Sequence, residues 1–331
     1  MSKKIQIQDE LARLFADSHF KYRKINPTPR LRKSLEQGFV NGHFAPFTAK
    51  GGGLFLRRSK KQQLVAAVLI TTVPVEFQSK IFERKFMILS MPGDSSSLKW
   101  AKSVLEENES LLGKRCSGKL EYWQKDLIPW FESKGIGIRS VLLHGDIDKS
   151  LRLLRAHYGK TLRESFEKAG LHILPARSIK DIDSYIRLIK SEFTKNPQFG
   201  ATVKNPKFLK FVKMDQRNNM KNGNPPLLVY RGKTLCGGLD LIEVPAGLDG
   251  KKRAAFGINL NSKMQGKGLS RALYERILLE LQKRGFKTYY GNTGQPGVMR
   301  MGKIMGRWVG GYTLDRGVAR PFPKDHFKLW L

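Results

Sequence analysis

The chain has 331 residues, 40% hydrophobic and 27% charged, which suits about two compact domains with real cores. Its 61 Lys+Arg against 28 Asp+Glu leave a net charge of +33, a field that draws polyanions such as RNA or phosphorylated ligands. Two cysteines, Cys116 and Cys236, with no CxxC and only scattered histidines, indicate neither a disulfide framework nor a zinc site.

The basic excess is spread along the chain, with 31 basic and 17 acidic residues up to Gly170 and 30 and 11 after it. No block is long enough to be a basic arm, and a solubility adaptation would give the same balance. The N-terminal MSKKIQIQDELARLF lacks an apolar core, so no signal peptide is expected there. The longest apolar run, QLVAAVLITTVPV at 63–75, is too short to span a bilayer and reads as a buried strand. The expected compartment is the cytoplasm.

In chain order, residues 1–50 read as a helical lead-in with a loop punctuated by NPTPR, NGHF and then GGG at 51–53. Strands are predicted at 53–59, 62–75 and 80–92, then a helix at 96–112, a strand at 116–123, a helix at 125–135 and a strand at 138–145. Large residues at helical spacing over 146–170 predict a linker helix. A second unit then begins with a strand at 171–178 and helices at 179–195 and 205–218. Strands follow at 225–232, 234–244 and 253–261, then a helix carrying Leu269, Leu273, Ile277, Leu278 and Leu281 on one face, which Gly285 caps. A strand at 287–292, a helix near 298–308 and a strand at 310–315 close the unit. Both halves run three strands, helix, strand, helix, strand. The predicted class is α/β (α+β), divided as 1–150, a linker at 151–170, and 171–331.

The stretch NSKMQGKGLSRALYER at 261–276 places a Gly-rich turn before a helix. It fails the P-loop, where Asn261 stands in the first glycine's place and Gly268 follows the lysine, and it fails GxGxxG, where Arg271 takes the last glycine's place. It fits [RQ]xxGx[GA] as Gln265-Gly266-Lys267-Gly268-Leu269-Ser270, although Ser270 departs from the usual Gly or Ala. In this place, between a strand and a helix, the pattern resembles motif A of the GNAT acyltransferase superfamily. FGINLN at 256–261, YYGN at 289–292 and RMGKIMG at 300–306 resemble that family's fourth strand, fifth strand and last helix. The resemblance covers about residues 171–315. It implies two GNAT-like domains, each a mixed, mostly antiparallel sheet flanked by helices. It also implies coenzyme A binding by Ile258, Asn259 and Leu260 on the strand, by Gln265 through Ser270 in the turn, and by Asn292. Glycines admit the ligand to the backbone, and a helix N-terminus favours its phosphates.

The tyrosine that such enzymes use as general acid aligns with Gly302. Tyr312, Tyr290 and Cys236 are substitutes by type, though each also reads as core. Asn292 and Tyr312 are carried forward as catalytic candidates. Of the carboxylates Asp240 and Glu243, three apart and so on opposite faces of a regular strand, at most one faces the acceptor, and the resembled family's preference for glutamate favours Glu243 as general base. In the first half, Met91-Pro92-Gly93-Asp94-Ser95 replaces the turn, so that half is expected to be degenerate and to bind no coenzyme A. The implied function is N-acyl transfer from acetyl-CoA or another acyl-CoA to an amine, without a covalent enzyme intermediate. An aminoacyl-tRNA-dependent transferase and a non-catalytic nucleic-acid or partner-binding protein are the alternatives. The acceptor is expected to be shaped partly by the loop at 244–253.

Overall fold

The computed structural model describes residues 3–44, 52–75, 78–159, 161–194, 203–244 and 251–316. Most of the predicted loop at 244–253 therefore lies outside the described residues. The chain forms two compact units, the first comprising 1–142 with 309–328 and the second 143–247 with 251–308, besides short stretches outside the described residues.

In the first unit, helices α1 (Lys3–Arg23) and α2 (Pro29–Gly38) precede strands β1 (Gly53–Arg58), β2 (Leu64–Val75) and β3 (Gln78–Ser90). NGHF falls within a π-helical turn, Phe39–Phe44, rather than in a loop. The strands form an antiparallel meander, and α1 buries Leu11, Leu14 and Phe15 against Ala67, Leu69 and Leu89 of that sheet. Helix α3 (Ser95–Glu107), strand β4 (Cys116–Glu121), helix α4 (Ile128–Ser133) and strand β5 (Ile136–Asp146) follow. β4 joins β3 in parallel, and Gly118 lies against the Phe86 ring, where an added Cβ would come within 2.4 Å.

The second unit opens with α5 (Ile147–Tyr158) and α6 (Thr161–Lys168). The expected linker helix is thus broken at Gly159, whose φ of +56° ends α5. Nor does it merely connect, because Ile147, Leu151, Leu154 and Leu162 are buried in this unit's core. Strand β6 (Leu171–Pro175), helices α7 (Ile179–Phe193) and α8 (Pro206–Lys221), and strands β7 (Leu227–Arg231), β8 (Thr234–Val244) and β9 (Arg253–Leu260) come next. Neighbours from β6 to β9 are antiparallel. Helix α9 (Ser270–Lys283), strand β10 (Thr288–Thr293) and helix α10 (Pro296–Ile304) complete the unit, with β10 parallel to β9. One sheet face packs on α9 through Leu273, Ile277, Leu278 and Leu281; the other packs on α7 through Ile182, Tyr185 and Ile189.

The last strand, β11 (Trp308–Arg316), was expected to close the second half. From Val309 on it belongs to the first unit and runs antiparallel to β4, with Gly311 opposite Glu121. Glycine permits this approach, since a Cβ at Gly311 would sit 2.6 Å from the Leu120 carbonyl oxygen. Among the described residues no helix is long and apolar enough to cross a membrane.

Candidate functional site

Strands β9 and β10 pair only over Arg253–Ala255 against Thr288–Tyr290, and beyond that they part. Phe256 to Leu260 keep their ladder to β8 on one side. Their other backbone edge faces a wedge-shaped notch. A cavity of about 690 Å³ fills this notch, lined among others by Phe256, Ile258, Leu260, Tyr290 and Val298. That size and mixed lining suit a small-molecule ligand. The unpaired strand edge offers backbone groups to an extended, amide-bearing arm.

The turn predicted from the sequence forms the mouth of this cavity. Gly266 and Gly268 have φ of +74° and +71°, in the left-handed region that side chains disfavour. At Gly268 an added Cβ would also lie 2.8 Å from the Arg271 guanidinium. Asn261 caps the short turn by accepting from the Met264 N–H at 3.1 Å, and the Gln265 amide donates to the Leu260 carbonyl at 2.8 Å. Among the described residues no side chain caps helix α9, which starts at Ser270. Its first N–H groups are open to an anion, and the helix dipole places about half a positive charge there. In the first unit, Asp94 occupies the corresponding place before α3. It accepts from the Ser97 N–H at 3.0 Å, the Ser97 hydroxyl at 2.6 Å and the Ser96 hydroxyl at 2.8 Å. Burial alone would raise the Asp94 carboxyl, but these hydrogen bonds and the nearby Arg57 charge hold it below its ordinary value. One helix N-terminus carries its own anion and the other is open.

Of the residues predicted to hold the ligand, Ile258, Asn259, Leu260, Gln265, Gly266, Gly268, Leu269, Ser270 and Asn292 line the cavity together. Lys267 is exposed beside it and is not part of the wall. The predicted catalytic residues fare differently. Asn292 is in the wall, but Glu243 is not. Its side chain is 48% exposed, pairs with Lys252 at 3.4 Å and accepts from Asn224 at 3.3 Å. Tyr312 belongs to the first unit, where it is 1% exposed and stacked on Tyr122 at 6.5 Å between ring centroids. Burial, first of all, keeps its hydroxyl protonated. Cys236 is buried core, donating to the Thr234 carbonyl, whereas Tyr290 does line the cavity.

Asp240, the carboxylate passed over in favour of Glu243, does not line the cavity either, but it is hydrogen-bonded to a residue that does. Asn259, in the wall, donates to Asp240 Oδ2 at 2.8 Å and lies 2.7 Å from the Tyr185 hydroxyl. Gly257, also in the wall, lies beside the carboxylate, with an added Cβ standing 3.7 Å from Oδ2. Asp240 Oδ1 is buried without a partner among the described residues. Burial pushes the carboxyl up to about 6 against hydrogen bonds from Tyr185 and Asn259 that lower it, and Asp215 adds repulsion. A sequence signal for this face did exist. Gly238, two residues earlier on the same face, makes room for the Tyr185 ring, which an added Cβ would approach to 2.3 Å.

Arg307, also in the wall, is 5% exposed and went unnoticed in the sequence. It donates to the Leu143 carbonyl at 2.8 Å and lies over the Tyr289 ring at 5.0 Å.

No protein-family model matches the chain, and no curated protein matches its sequence. Solved structures do match. A GCN5-related N-acetyltransferase from Sphaerobacter thermophilus is similar over 96% of this chain and 94% of that one, at TM-score 0.54 and 13% identity. The glucosamine N-acetyltransferase region of a fungal multi-domain GH3 β-N-acetylglucosaminidase is similar over 95% of this chain at TM-score 0.54 and 11% identity. There the chain spans 37% of the other protein's length. Two units, each built as meander, helix, strand and helix, with a notch between β9 and β10 in the second, thus have the fold of the GCN5-related N-acetyltransferases.

Proposed function

We propose that the second unit is an acyl-CoA-dependent N-acyltransferase that transfers an acyl group, most simply acetyl, to an amine. The observation that carries this reading is the conjunction of an uncapped α9, two positive-φ glycines before it, and an unpaired edge of β9 leading away from it. Gln265 through Ser270 would hold the pyrophosphate, and Ile258 to Leu260 would pair with the pantetheine arm. Coenzyme A supplies an activated thioester. Asp240 would take a proton from the acceptor ammonium, relayed through water; the freed nitrogen bonds to the acyl carbon, the C–S bond breaks, and the proton that the new amide nitrogen sheds goes to the leaving thiolate. A carboxyl with its pKa near 6 is ionised at neutral pH and well matched to that transfer. An N–H on the open edge of β9 would stabilise the developing oxyanion, and Asn292 would orient the reacting groups.

The first unit is, on this reading, a degenerate copy that binds no coenzyme A, because the Asp94 carboxylate already takes up the N–H and hydroxyl donors at α3. The domain division proposed is one cofactor-free and one cofactor-binding unit. The net charge of +33 speaks for a polyanionic partner as well, so the test carries an RNA arm. Thermal unfolding is followed with coenzyme A, acetyl-CoA or bulk tRNA added. A rise in Tm with both coenzyme A species, insensitive to tRNA, is expected. Salt-sensitive stabilisation by tRNA with no response to coenzyme A would overturn the reading in favour of an RNA-dependent transferase or an RNA-binding protein.

A further inference from the structure

The notch between β9 and β10 has two chemically distinct ends. At its mouth stand Gly266, Gly268 and the open N-terminus of α9. At its apex, where the strands rejoin at Ala255 and Tyr290, stands Arg307. Its guanidinium lies beneath Gly291, with Nη2 3.8 Å from the place where a side chain on that glycine would begin. Arginine stays charged under all ordinary conditions, so burying it calls for a counter-charge. Among the described residues none is supplied: the guanidinium is hydrogen-bonded to the neutral Leu143 carbonyl and Tyr274 hydroxyl, and no carboxylate forms an ion pair with it. The guanidinium Nε is buried without a partner among the described residues. The neighbouring phenols do not compensate either. Burial holds the Tyr274 hydroxyl above its ordinary pKa and pushes that of Tyr289 up to about 12, so both stay protonated.

If the phosphates lie at the mouth and the arm runs back along β9 from Leu260 to Phe256, the thioester end reaches the apex. We propose that the acyl group of the preferred donor carries a carboxylate, as in a dicarboxylic acyl-CoA, and that Arg307 is the residue that receives it. A fixed two-nitrogen fork matches a carboxylate, and the dry apex strengthens the pair. Arg307 is then a specificity-determining residue for the donor. This rests on the coenzyme A reading of the same cavity, and the experiment separates the two.

Binding to the full chain is measured by calorimetry with free coenzyme A, acetyl-CoA, butyryl-CoA and succinyl-CoA. The last two have acyl groups of equal chain length and differ by the terminal carboxylate. Succinyl-CoA is expected to bind at least about tenfold more tightly than butyryl-CoA, and in Arg307→Gln the two should agree within about twofold. Equal or tighter binding of butyryl-CoA, with free coenzyme A still bound, overturns the donor proposal and leaves the cofactor reading standing. A succinyl preference that survives in Arg307→Gln also overturns it. If no coenzyme A species binds, both fall. Should Arg307→Gln not fold, the ranking of donors on the unaltered protein decides the question without it.

Discussion

Asp240→Asn tests the buried carboxyl by stability as well as by rate. The Asp240 carboxyl moves from its ordinary 3.8 to about 6 on folding, with burial as the first cause. Between those values the folded protein holds a proton that the unfolded chain has lost, so stability falls as pH rises through that window. Below about pH 4 the carboxyl is neutral in both states and contributes nothing. Above about pH 6 the folded protein bears the whole penalty. A gap of roughly two units, at about 1.4 kcal/mol each, sets an upper limit near 3 kcal/mol. Because the residue is only part-buried, solvent screening trims this to about 1–2 kcal/mol. The carboxamide is nearly isosteric and still accepts from Asn259. The expected result in urea titrations is therefore near-equal stability at pH 4 and a variant about 1–2 kcal/mol more stable at pH 8. Over the same range, acyl transfer by the unaltered protein should rise through about pH 6, and the variant should lose about 10²–10⁴ in rate. A variant equally or less stable at both pH values would show that Asp240 carries no such burial penalty, and the choice of base would fall with it.

Gly268→Asp puts a side chain where φ is +71° and a negative charge beside the expected phosphates, so the Tm rise with coenzyme A should vanish. Persistence of that rise would place the ligand elsewhere. Glu243→Gln removes only an exposed pair with Lys252, and stability should change by less than about 0.5 kcal/mol with the transfer rate unaltered. A large rate loss would restore Glu243 as the base. Asp94→Ala uncaps α3 and should cost about 1–2 kcal/mol in urea unfolding, and the response to coenzyme A should stay as it was.

The glycine turn before α9 was legible because its logic is local. Glycine takes up positive φ without steric cost, and Gly266 and Gly268 both have it. The meanders and helix faces were legible from periodicity in the same way. What sequence could not give was which face of β8 the helix α7 would cover. Asp240 and Glu243 are equivalent by type and differ only in that packing. The 146–170 segment looked like a connection because its apolar stripe does not announce the partner it packs on. Arg307 was invisible for a simpler reason, since one arginine among 61 basic residues carries no signal until its burial is seen.

The parting of β9 from β10 bears on cooperativity as well as on binding. Among the described residues, three residue pairs, from Arg253–Thr288 to Ala255–Tyr290, tie β10 to the β6–β9 array by sheet pairing. A ligand arm laid along β9 would act as an inserted length of strand and lengthen that tie. Amide exchange from Phe256 to Leu260 would then slow at those N–H groups that turn away from β8, leaving the inner ladder unchanged. The second unit would be most firmly held together while it is carrying its substrate.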